Sequence, residues 1–114
     1  MTVLDGLHPV LVEKIGRVLA AMQTNGTPMR ITDGYRSTAQ QALLYAKGRT
    51  APGRIVTYAD GLHKKSNHQS GRAVDCAFLG PKPYDESHPW GFYGDCAERE
   101  GLTWGTIYLT PLIF

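Results

Sequence analysis

The run Ser66-Asn67-His68-Gln69-Ser70-Gly71-Arg72-Ala73-Val74-Asp75 constrains this chain more than any other stretch. From its end, Ala73, Asp75 and Ala77 alternate with Val74, Cys76 and Phe78, the period-two pattern of a strand. One face therefore carries a carboxylate between two alanines, whose small side chains predict open space around it. A carboxylate within an apolar strand requires a strong partner. His68 stands just upstream, and Gly71 has the backbone freedom to fold it back toward Asp75. A neutral imidazole and a carboxylate converging there are two ligands of a zinc site. The same spacing also suits a solvated histidine and carboxylate with no metal, and the residues alone leave both readings open.

A chain of 114 residues predicts a single domain, 1–114, with a modest core. No apolar run approaches the roughly 20 residues of a membrane span. The start of the chain has no basic region followed by an apolar segment, which predicts cytoplasmic synthesis without a signal peptide. Cys76 and Cys96 are too few for a disulfide framework and predict two reduced, largely buried thiols. Net charge is +2 but unevenly spread: Lys47, Arg49, Arg54, Lys64, Lys65 and Arg72 face a single acid, Asp60, between positions 47 and 72. That stretch reads as a solvated loop, or as a surface for an acidic substrate or a phosphate backbone. Only Tyr45 and Tyr58 interleave with it, too few for base stacking, so nucleic acid is the weaker partner.

Along the chain, Pro9 to Met22 reads as an amphipathic helix with Leu11, Ile15, Val18, Leu19 and Met22 on one stripe, ended by Asn25-Gly26. Met29 to Thr32 alternates as a short strand, and Asp33-Gly34 is a turn signal. Ser37-Thr38-Ala39-Gln40 is a capping-box pattern for a second helix running to about Lys47, with Leu43, Leu44 and Tyr45 as its core side. Arg36 sits at the joint, where a side chain can be aimed into a cleft or out to solvent. Positions 49–65 look irregular, and a loop this long in a small domain is often a functional wall or lid. A third helix is predicted from about Pro89 to Gly101, with Trp90, Tyr93, Cys96 and Ala97 inward, followed by an extended segment from Leu102.

Taken together, these residues resemble the zinc peptidases that include phage L-alanyl-D-glutamate endopeptidases (endolysins) and bacterial D-Ala-D-Ala carboxypeptidases. Asp33-Gly34-Tyr35-Arg36-Ser37 is similar to that family's G-Y-R-S segment. Gln41, Leu44-Tyr45-Ala46 and Gly48-Arg49 are similar to its endolysin branch. Ser66, His68, Gly71, Ala73 and Asp75 form the signature S-x-H-x-x-G-x-A-x-D, and Gly101-Leu102-Thr103-Trp104-Gly105 resembles the approach to the last strand. The likeness covers 1–105. It implies an α+β fold, a small antiparallel sheet flanked by about three helices, of the D-Ala-D-Ala carboxypeptidase or Hedgehog-like type. It further implies that His68 and Asp75 bind zinc, that Arg36 binds substrate or stabilises charge, and that Ser66 belongs to the site's surroundings. The implied reaction is hydrolysis of the L-alanyl-D-glutamate bond of peptidoglycan stem peptides by a zinc-activated water, at the cell wall after release from the cytoplasm.

The pattern breaks at its end. The family's last strand carries an acid and, three residues later, a histidine that is the third zinc ligand. Here positions 106–114 read Thr-Ile-Tyr-Leu-Thr-Pro-Leu-Ile-Phe, with no His, Asp or Glu. Catalytic zinc usually has three protein ligands. His88 is the nearer substitute and His63 the more remote; otherwise a neighbouring chain supplies the ligand, or the form is an inactive remnant that binds metal or cell-wall peptide without catalysis. A D-Ala-D-Ala carboxypeptidase is the other enzymatic alternative. The apolar tail, with Ile107, Leu109, Leu112, Ile113 and Phe114, either completes the sheet or forms an edge for self-association.

Overall fold

The computed structural model describes residues 3–103 and the backbone of residues 107–108. Helix α1 spans Pro9–Thr24. Pro9 occupies its first turn, and His8 caps it by accepting the Val10 N–H on Nδ1 at 3.1 Å. The spacing of Leu11, Ile15, Val18 and Met22 puts all four on one face, each no more than 1% exposed. Burial of each stabilises the fold by about 1.5–3 kcal/mol. Helix α3, Trp90–Arg99, contributes Tyr93, Cys96 and Ala97 to the same core, with Trp90 half-buried at its edge.

Strands β1 (Met29–Asp33), β2 (Ala73–Phe78) and β3 (Ile107–Tyr108) form an antiparallel sheet in that order. Val74, Cys76 and Phe78 turn toward the helices, as alternation predicts. The α+β expectation, a small antiparallel sheet with three helices, is what the chain adopts. Part of the tail completes the sheet: Ile107 and Tyr108 pair with Val74 and Ala73. The rest of it, and with it the expected edge for self-association, lies outside the described residues. Among the described residues, no helix is long and apolar enough to cross a membrane.

Helix α2, Thr38–Ala46, begins with the expected capping box between Ser37 and Gln40. Its predicted core side does not hold. Leu43 is 71% exposed, and Leu44 and Tyr45 are only half-buried. The one fully buried position is Gln41. The helix lies against the irregular loop rather than the apolar core, so its inward position binds backbone instead of oil. Tyr45 instead supports the Arg49 guanidinium, 3.8 Å above its ring.

The segment ahead of α1 is a strap across two turns. The His8 N–H donates to the Gly71 carbonyl at 2.8 Å. A Cβ on Gly71, which sits at φ +70, would lie 2.1 Å from the Gly6 carbonyl oxygen, and one on Gly34 would lie 2.6 Å from that of Val3. Only glycine permits either approach.

Candidate functional site

The two strands bring their charged ends together. β1 and β2 pair in simple register from Met29↔Phe78 to Ile31↔Cys76, then the register shifts and Asp33 falls opposite Asp75. Like charges directly across a ladder repel, so this end of the sheet calls for cations. Arg36 answers from the turn after β1. Its Nε and Nη2 donate to Asp33 Oδ2 at 2.8 and 2.5 Å, and Nη2 reaches Asp75 Oδ2 at 3.5 Å.

His68 answers from the other side. It lies on a short 3-10 helix, Asn67–Ser70, whose N-cap Ser66 accepts the His68 N–H at 3.2 Å and pairs with Gln69 in a second capping box. Gly71 ends that turn in the left-handed conformation and sends the chain into β2. The His68 ring is 4% exposed. Its Nδ1 is 2.7 Å from the Gly34 carbonyl oxygen, which can only accept, so Nδ1 carries a proton. The other nitrogen, Nε2, stands 3.4 Å from Asp75 Oδ2. Such a hydrogen bond fixes the tautomer and ring plane of a metal-ligating histidine.

His68, Asp75 and Asp33 each offer one ligand atom, and these atoms lie within 4.8 Å of one another. One imidazole nitrogen with carboxylate oxygens is a donor set that suits zinc. Burial pushes the Asp75 carboxyl upward; His68 and Arg36 oppose this, and Asp33 adds to it. Burial thus outweighs the two cations at this carboxylate.

The space around Asp75 does not come from its flanking alanines. Ala73 and Ala77 are fully buried and line no cavity described here. It comes instead from two cavities that meet at Asp75. One, of about 350 Å³, is walled by Arg36, Ser66, His68 and loop residues including Thr57 and Lys65. The other, of about 550 Å³, is walled by Thr32, Asp33, Tyr84, Trp90 and Tyr93. Arg36, Ser66, His68 and Asp75 therefore share one place, as expected from the sequence. His88 does not join them: it stacks on Phe78 with ring centroids 4.4 Å apart, and its Nε2 faces the Lys82 carbonyl at 2.6 Å. His63 is bound to Asp60 in the exposed loop.

Two contributors escaped the sequence reading. Asp33 reads locally as half of an Asp-Gly turn, and only the strand register sets it across from Asp75. Gln41 holds the site from behind. Its Oε1 accepts Arg36 Nη1 at 3.0 Å, while Nε2 donates to the Ala59 carbonyl at 2.9 Å and to Thr57 Oγ1 at 3.2 Å. One buried amide thus ties the arginine to the loop that walls the smaller cavity. Its place in the resemblance to the endolysin branch was the available signal.

The chain is 42% identical over 77 residues to the peptidoglycan L-alanyl-D-glutamate endopeptidase CwlK of Bacillus subtilis, a match that spans 68% of this chain and 45% of that relative. The chain thus accounts for less than half the length of the relative. A crystal structure of the Serratia marcescens L-Ala D-Glu endopeptidase ChiX superposes with a TM-score of 0.56 over 95% of this chain and 84% of that one, at 20% identity, which speaks for a common fold. The model of the VanY family, D-alanyl-D-alanine carboxypeptidase, matches residues 5–87, a range that holds Asp33, Arg36, His68 and Asp75, and the chain belongs to that family.

Proposed function

We propose that this chain is a zinc-dependent peptidoglycan peptidase of the endolysin type, cleaving the L-alanyl-D-glutamate bond of stem peptides. The observation that carries the reading is the oriented imidazole: His68 is buried, held through Nδ1 by Gly34, and presents Nε2 beside the Asp75 carboxylate. The likeness to CwlK supports the choice of bond. His68 and Asp75 would hold the metal, and Asp33 is the third donor within reach. Asp33 thereby stands in for the ligand that positions 106–114, without His, Asp or Glu, do not offer. Bound zinc supplies a more acidic water and a Lewis acid for the scissile carbonyl. Arg36, fixed by Asp33 and Gln41, offers its guanidinium to a substrate carboxylate or to the developing oxyanion. Ser66 keeps the histidine turn wound. The protein would act on the wall once released to it.

A second reading, metal or stem-peptide binding without hydrolysis, is favoured by the missing acid and histidine of the tail. A D-Ala-D-Ala carboxypeptidase is favoured by the family description alone. Zinc per chain and the products from purified peptidoglycan separate the three. We expect about one zinc, as in a single-metal site, lost in His68→Ala, together with new D-glutamate amino termini. Released D-alanine would indicate the carboxypeptidase, and bound zinc with neither product the binding protein. Failure to bind added zinc would sink the metallopeptidase.

A further inference from the structure

The two cavities that meet at Asp75 differ in chemistry. The smaller carries two cations, Arg36 and Lys65, beside the shared Asp75, and Lys65 is exposed on the loop. The larger is aromatic, with Tyr84, Trp90 and Tyr93 on its wall, and among the described residues its charged side chains are Asp33 and Asp75. Tyr84 is 62% exposed, and its ring lies parallel to that of Trp90, the planes 4° apart. Its hydroxyl faces Thr32 Oγ1 at 3.4 Å, which turns the ring along the cavity rather than away from it.

A stem peptide is equally lopsided about the L-alanyl-D-glutamate bond. On one side lies the L-alanine attached to N-acetylmuramic acid, neutral and presenting the C–H faces of a sugar. On the other lie D-glutamate and the following diamino acid, with their free carboxylates. Carboxylates are drawn to Arg36 and Lys65, and the described wall of the aromatic cavity offers them no cation. A sugar face packs on exposed aromatic rings. Resting on the peptidoglycan-peptidase reading above, we propose that the groove binds its substrate in one direction: the carboxylate-bearing half lies along Arg36 and Lys65, and the muramyl sugar packs on Tyr84 and Trp90. Tyr84 and Lys65 are then specificity residues for opposite ends of one substrate. The larger cavity is of a size for a sugar with its first amino acid.

The test uses two non-hydrolysable halves, N-acetylmuramyl-L-alanine and γ-D-glutamyl-diaminopimelate, titrated into the full chain with zinc and followed by heteronuclear NMR. Tyr84→Ala is expected to weaken the muramyl half about fivefold, the scale of one lost stacking contact, and to leave the acidic half alone. Lys65→Gln is expected to weaken the acidic half about threefold, the scale of one exposed ion pair, and to leave the muramyl half alone. Both side chains are exposed, so both variants fold. Crossed effects, equal effects on both halves, or no effect of either variant on a half that binds would overturn the direction while leaving the peptidase reading intact. If neither half binds and intact muropeptide is not cleaved, the peptidase reading fails and takes this one with it.

Discussion

On the loop side of Asp75, the groove is walled by hydrogen bonds. Gln41 grips Ala59, Thr57 and Arg36, and Asp60 gathers the N–H groups of Leu62, His63 and Lys64 on one oxygen, at 2.9, 2.8 and 2.9 Å. On the other side it is walled by packing. Trp90 meets Phe78 edge-on with centroids 4.8 Å apart, and Phe78, 2% exposed, belongs to the core shared by α1 and α3. Polar contacts of the first kind are confined to the loop and its neighbours, and can be lost without the core. Packing of the second kind is lost together with the core. The loop side can therefore open locally while the aromatic side stays in place.

Breaking the packed side should cost most. Phe78→Ala removes the contact under both Trp90 and His88, and we expect a loss of about 3–5 kcal/mol by denaturant unfolding, with the whole domain affected. Gln41→Ala should cost about 2 kcal/mol, the scale of buried polar partners left unsatisfied. Its hydrogen exchange should rise in 57–65 and not in α1. Equal acceleration in both would show that the loop and core open as one unit. Asp75→Asn sharpens the comparison from the centre. Since the surroundings disfavour its charge, the metal-free variant should melt slightly higher than the parent while failing to bind zinc. A lower melting temperature would mean that the ion pairs with His68 and Arg36 outweigh burial.

The smallest effect belongs to Asp60. The backbone N–H of Lys64, with that of Leu62, holds its carboxyl well below the usual carboxylate range. A depressed acid contributes order above the unfolded value, about pH 4, and loses it as pH falls through the folded value. Amides 62–64 should therefore lose exchange protection only below about pH 4, and in Asp60→Ala at every pH. Protection unchanged in that variant would remove Asp60 from the wall.

Much of this was legible in the sequence. Pro9, the stripe from Leu11 to Met22, the capping pattern from Ser37 to Gln40 and the alternation through Asp75 are local signals, and each formed the element it predicts. His68, Arg36 and Asp75 were legible through the resemblance. What was missed depends on contacts distant in sequence. Asp33 becomes part of the site only through a register shift against β2. Gln41 enters the sequence reading only through the resemblance, and its partners come from the distant loop. Leu43 and Leu44 read as core because their helix was assumed to face the apolar interior. Cys76 is a free, buried thiol, as expected, and burial pushes it up to about 11.

The strap ahead of α1 gives the site a dependence that no local reading of His68 reveals. It leans on Gly34, whose carbonyl orients the imidazole, and on Gly71, which ends the histidine turn. A tag, a fusion partner or a protease cut that lifts this segment would cost α1 its His8 cap and leave the body of each helix, and most of the circular dichroism, in place. The imidazole would nevertheless lose the support on both of its flanks, and a preparation that looks folded by spectroscopy would hold its histidine turn out of place.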